Sequence, residues 1–170
     1  MAKQILTSRA GLWGLAVLVV VGAVAIGVLA TRPAPAVTAI NMDDDQIAIR
    51  GYDTVAYFTE GKATKGSSEF EHTWEGARWH FTSDEHRDLF VGDPERYAPR
   101  YGGYCSMGLA IGEYSDADPE VWTIVEGKLY LNKNEKVREM WSKGPDAYIA
   151  ASEHNWNNYR DELRINENLQ

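Results

Sequence analysis

The sequence predicts an α+β domain: a small antiparallel sheet of two hairpins with packed helices, preceded by one N-terminal transmembrane or signal helix. Three observations carry that reading. The stretches "HTWEGARWHF" (His72–Phe81) and "WTIVEGKLYL" (Trp122–Leu131) each set a Glu-Gly pair between aromatic and β-branched runs, the mark of a tight hairpin. Around them lie helix-start signals with apolar residues at helical spacing. Ahead of everything stands Gly11–Ala30, twenty residues without a charge.

That apolar run is about long enough to cross a hydrocarbon core of roughly 30 Å as a helix. Lys3 and Arg9 precede it and orient the N-terminus toward the cytoplasm. Two readings compete: a retained single-pass anchor, or a cleaved signal peptide with Ala34-Pro-Ala36 as a small-x-small site. Both export the remainder to a periplasm or equivalent extracytoplasmic space. The organisation is then a cytoplasmic N-terminus (1–10), the anchor or signal (11–30), a Pro/Ala linker (31–39), a folded domain (40–163) and a tail (164–170).

Within the domain an early strand is expected at Ile47–Arg50, and a strand or buried turn at Thr54–Phe58. With two-residue loops, His72 faces Trp79 and Trp74 faces Ala77. Alternation puts Trp79 and Phe81 on one face and Arg78, His80 and Thr82 on the other. Thr82-Ser-Asp-Glu85 reads as a capping box opening a helix through Phe90. Asp93-Pro94 starts another, with Asp as N-cap and Pro at the first helical position. A third helix runs from about Asn134 to Ser142, and a last one from about Asp146 to Leu163. On that helix Tyr148, Ser152, Trp156, Tyr159 and Leu163 form one packing stripe.

From Pro33 onward the chain carries 14 basic against 25 acidic residues, a balance of −11. Such a surface repels phosphate backbones, which excludes nucleic-acid binding. No P-loop, nucleophile elbow, dinucleotide fingerprint or HExxH zinc motif is present. Asp43-Asp-Asp45 and Asp116 with Asp118 lack the glycine-punctuated spacing of a calcium loop and read as solvated turns.

Four ordered motifs, "RGYDTVAYF" (Arg50–Phe58), "WEGARWHFTS" (Trp74–Ser83), "FVGDPERYAPRYGGYC" (Phe90–Cys105) and "GKLYLN" (Gly127–Asn132), resemble the YHS-domain proteins over roughly residues 45–158. The branch resembled has small, exported, single-domain members. The resemblance implies a small α+β domain related to treble-clef metal-binding modules of heavy-metal-transporting ATPases. Metal-associated members place one cysteine shortly after an Asp-Pro-Val start and two more in a Phe-Cys-Ser-x-x-Cys core. Here Ala56, Thr82 and His86 stand in those places. A structural zinc site needs four closed N/S ligands, so the usual site is not expected.

Cys105, the one cysteine in the chain, leaves four readings open. With Met107 and His86 or His80 it would make a soft S/N site suited to copper(I) or, less well, zinc(II). It could instead pair between molecules as a redox handle, or act as a nucleophile given a nearby histidine. The fourth reading is a small buried hydrophobe, at a crossing permitted by Gly102-Gly103 and flanked by the hydroxyls of Tyr101 and Tyr104. His72 reads as a core residue, His80 as a half-exposed strand residue, His86 as solvent-exposed or a ligand, and His154 as surface. The expected function is soft-metal handling, copper first, without catalysis. The alternative is a metal-free accessory domain that binds another envelope protein, and a weaker one is a thiol enzyme.

Overall fold

The computed structural model describes residues 38–167, with side chains through Asp161. In order come a short helix α1 (Ala56–Thr59), strands β1 (Ser67–Trp74) and β2 (Ala77–Phe81), and helices α2 (Asp84–Gly92), α3 (Pro94–Tyr97) and α4 (Ser106–Ala110). Strands β3 (Asp118–Val125) and β4 (Lys128–Asn132) follow, then helices α5 (Glu135–Trp141) and α6 (Pro145–Glu167). The fold is α+β, two antiparallel hairpins with packed helices. Among the described residues no helix is long and apolar enough to cross a membrane. This corrects the expectation of a membrane-anchored chain; the run 11–30 on which it rested lies outside the described residues.

Both hairpins close as their Glu-Gly pairs require. His72 pairs with Trp79 and Trp74 with Ala77; Ile124 pairs with Leu129 and Val125 with Lys128. Glu75 and Gly76 have φ of 52° and 75°, and Glu126 and Gly127 of 49° and 71°. Positive φ at both central residues defines the turn that matches strand twist.

The hairpins are nevertheless separate two-stranded sheets, which corrects the expected single sheet. Irregular chain lies along one edge of each hairpin. Ile47 bridges Arg78 beside β2, with the Ala48 N–H donating to the Arg78 carbonyl at 2.9 Å and the Arg78 N–H to the Gln46 carbonyl at 2.7 Å. Cys105 bridges Leu131 beside β4.

The expected strand at Ile47–Arg50 is instead a bridge leading into a 3₁₀ turn, Ile49–Gly51. Ile49, Arg50 and Gly51 have φ of 39°, 57° and 73°, left-handed values that no strand continues through. Thr54–Phe58 turns into α1. Ser83 caps α2, accepting from the His86 N–H at 3.2 Å; Thr82, expected as the cap, is used elsewhere. Asp93 and Asn134 cap α3 and α5 as their sequence signals indicate. Helix α6 runs through Glu167, past the expected end at Leu163.

Two aromatic clusters hold these parts together. In the first, Trp79, Phe81 and Phe90 stack at ring separations of 5.1 Å and pack with Val55, Tyr57, Leu129, Leu131 and Cys105. In the second, Trp156 on α6 joins Tyr101, Tyr104, Leu109, Tyr130 and Trp141. Each fully buried large side chain contributes about 1.5–3 kcal/mol, so both hairpins and α6 share the stabilisation.

The two clusters meet near a crossing of backbones. A Cβ on Gly102 would lie 2.0 Å from the Ala39 carbonyl oxygen, and one on Gly103 would lie 2.5 Å from Ile49 Cγ2. The Asn41 N–H donates to the Gly102 carbonyl at 2.8 Å. Only glycine admits so close an approach.

Candidate functional site

Among the described residues the most densely bonded polar side chain is Asp53, an acid with no exposed surface. Burying a carboxylate is costly unless its lone pairs are met. Oδ1 accepts from the backbone N–H of Val55 at 2.9 Å and of Ala56 at 3.3 Å, at the start of α1. Oδ2 accepts from the Thr82 N–H at 2.8 Å, the Thr82 hydroxyl at 2.7 Å and His86 Nδ1 at 2.7 Å. The carboxylate thus clips α1 to the β2–α2 junction, and this is why Thr82 does not cap α2.

The clip sets the state of His86, whose side chain is 11 % exposed. A carboxylate only accepts, so Nδ1 carries a proton. In the neutral imidazole Nε2 is then the acceptor, and it lies 3.2 Å from the Thr59 hydroxyl oxygen. Thr59 Oγ1 also reaches the Val55 carbonyl at 3.1 Å. Asp53, His86 and Thr59 form one hydrogen-bonded line from the core to the surface.

His80 belongs to a different cluster. It is 9 % exposed, more buried than its strand face suggested, because Gly51 approaches so closely that a Cβ there would lie 3.2 Å from its Nδ1. Its Nε2 lies 3.0 Å from Glu71 Oε2, the residue opposite it on β1. Arg78 donates to the same oxygen through Nε at 3.0 Å and NH2 at 2.7 Å. These bonds, Arg78 first, hold the Glu71 carboxyl below the usual range.

Cys105 is 2 % exposed. Its backbone N–H donates to the Ser115 carbonyl at 2.9 Å, and Sγ lies 3.9 Å from Asn132 Oδ1. The Met107 N–H donates to that same oxygen at 3.3 Å. The structure therefore gathers Cys105 and Met107 around Asn132, while His80 and His86 engage separate carboxylates. Tyr101 and Tyr104 turn their hydroxyls away from the thiol, Tyr101 donating to the Ile149 carbonyl at 3.3 Å and Tyr104 accepting from the Thr38 N–H at 3.2 Å. His72 is half-buried against Phe90, and His154 is exposed. Among the described residues no group of three or more His, Cys, Asp or Glu side chains could hold a metal ion.

Asp53, Thr59 and Asn132 were missed from the sequence. Asp53 had a signal, an acid two residues ahead of Val55 as in an N-terminal Asx turn, but the segment's apolar content suggested a strand or buried turn. Asn132 and Thr59 have none, since their partners lie 25 and 27 residues away.

The YHS domain family model matches residues 55–101, so a YHS domain is present from α1 to the Tyr101 turn. His80 and His86 fall inside it; Cys105 and Met107 fall beyond. No curated protein and no solved structure matches the chain. At the positions where the resemblance implies thiolates stand a methyl (Ala56), a hydroxyl bonded to Asp53 (Thr82) and an imidazole bonded to Asp53 and Thr59 (His86). This set does not fit a structural zinc.

Proposed function

We propose that this YHS domain is a metal-independent accessory domain that binds a protein partner. The observation that supports it best is the Asp53–Thr82–His86 clip. It joins α1 to α2 through hydrogen bonds where metal-associated members would use thiolates, and so serves a structural clip's purpose with no ion. The exposed side of α2 is the docking face. Leu89 stands out from it with Glu85 one turn before and Asp93 and Glu95 beyond, while Val91 is exposed on the other flank of buried Phe90, where Arg87 pairs with Asp84 and Asp88. An aliphatic anchor, Leu89, with Glu85 and Asp93 a turn to either side suits a basic segment of a protein with an apolar side chain between its charges.

Two measurements test this. Titration of the full chain with copper(I) against a competing chelator is expected to give the same curve for wild type and Cys105→Ala. One tight equivalent lost in the variant would instead make copper handling the function. A photo-crosslinking residue at Leu89 is expected to yield a discrete adduct that disappears with Glu85→Lys and Asp88→Lys. The same residue at exposed Ile111, on α4's far end, is expected to yield none. Equal yields at both positions would sink the α2 face.

A further inference from the structure

The line from Asp53 through His86 to Thr59 has the connectivity of an activated hydroxyl: a buried acid, an imidazole whose tautomer the acid fixes, and an exposed alcohol at the free nitrogen. A structural tie between α1 and α2 is complete at the Asp53 bond and does not require the second nitrogen to meet a hydroxyl. Serine, cysteine and threonine nucleophiles are weak until such a base stands within hydrogen-bond reach. We propose that Thr59 is an acyl-accepting nucleophile, with His86 Nε2 as its general base and Asp53 positioning that base.

The donor class follows from the surroundings. Thr59 is exposed at the end of α1, two residues before Gly61, where an added Cβ would meet nothing within 4 Å. Uncharged esters or thioesters of small acids can approach it. Glu60, Asp84 and Glu85 are exposed near the pair in sequence, with Lys62 and Arg87 paired to Glu60 and Asp84, so no strong charge selects a charged donor.

In the reaction the Thr59 hydroxyl, which donates to the Val55 carbonyl at rest, turns its proton to Nε2, which takes it. Thr59 Oγ1 bonds to the acyl carbon, and the bond from that carbon to the leaving oxygen or sulfur breaks. The leaving group takes the proton from Nε2, or departs as an anion while Nε2 releases that proton to solvent, so that the nitrogen is again a free base. Water, activated by the same nitrogen, then hydrolyses the acyl-threonine to the free acid and restores the hydroxyl. The inference does not rest on the docking face of α2.

The test uses the full chain and p-nitrophenyl acetate, following p-nitrophenolate release and mapping acetyl groups by peptide mass. Acetylation of Thr59 is expected about 100-fold or more faster than that of the exposed Ser67 and Ser68, in line with general-base assistance. It is expected to vanish in Thr59→Val and persist in Thr59→Ser. His86→Asn keeps an amide N–H for Asp53 but removes Nε2, so acetylation should fall to the Ser67 background while the melting temperature holds. Acetylation of Thr59 no faster than of Ser67 and Ser68, or unmoved by His86→Asn, overturns the proposal. Should His86→Asn fail to fold, the Thr59→Val and Thr59→Ser pair decides it, since both change only an exposed side chain.

Discussion

Ser106 opens α4 with its side chain fully buried, and its hydroxyl has no hydrogen-bond partner among the described residues. The bond at that position runs through its backbone instead, the Ser106 carbonyl accepting from Ser152 Oγ at 2.9 Å. Ser106→Ala removes a desolvated hydroxyl and leaves the carbonyl in place. It is expected to stabilise the domain by about 1 kcal/mol, read as a raised urea midpoint at unchanged slope. A lowered midpoint would mean the hydroxyl is satisfied. Asp53 is the opposite case, a far more costly group whose five contacts come from four residues, two beside it in sequence and two, Thr82 and His86, brought to it by folding. This contrast explains what was readable at single positions. Cys105 as a small buried hydrophobe and His154 as a surface residue follow from residue type. Which acid is sealed in the core and which hydroxyl meets an imidazole depend on contacts across 27 and 33 positions.

At the scale of elements, the hairpins and caps were legible because their causes are local. Glu-Gly turns, the Asp93-Pro94 start and the Asn134 cap each act within four residues. The separation of the two sheets was not, because it follows from which distant segment reaches each strand edge first. The Gly102-Gly103 crossing gives a test at this scale. Gly102 and Gly112 both have positive φ, 61° and 80°. A Cβ at Gly112 meets nothing, whereas one at Gly102 strikes the Ala39 carbonyl. Gly112→Ala is expected to cost about 1–2 kcal/mol, the left-handed penalty alone. Gly102→Ala adds a backbone clash and is expected to cost about 2–4 kcal/mol. Equal losses in denaturant unfolding would show that the segment at Ala39 gives way and does not hold the crossing.

Across the molecule, the two aromatic clusters put phenol groups where ionisation is strongly disfavoured. Burial pushes Tyr57 far above the ordinary tyrosine value, with the charges of Tyr52 and Asp53 adding to it. Tyr101 is raised likewise by burial and then by Glu153. The folded state holds both neutral, and the unfolded chain lets them ionise near about pH 10. Their contribution is therefore whole below that pH and declines as pH rises above it. Alkaline titration is expected to release the buried phenolates together with the loss of far-ultraviolet circular dichroism. Phenolate absorbance that reaches its full amplitude while the dichroism is intact would contradict this. The same packing settles the chain's relation to oxidants. Its one sulfur able to form a disulfide is closed off between β4 and α4, and no second cysteine exists to join it within the chain. Nothing in the fold is tied by a bond that glutathione could cut or oxygen could make. The domain's stability therefore does not depend on the thiol–disulfide balance of the space it occupies.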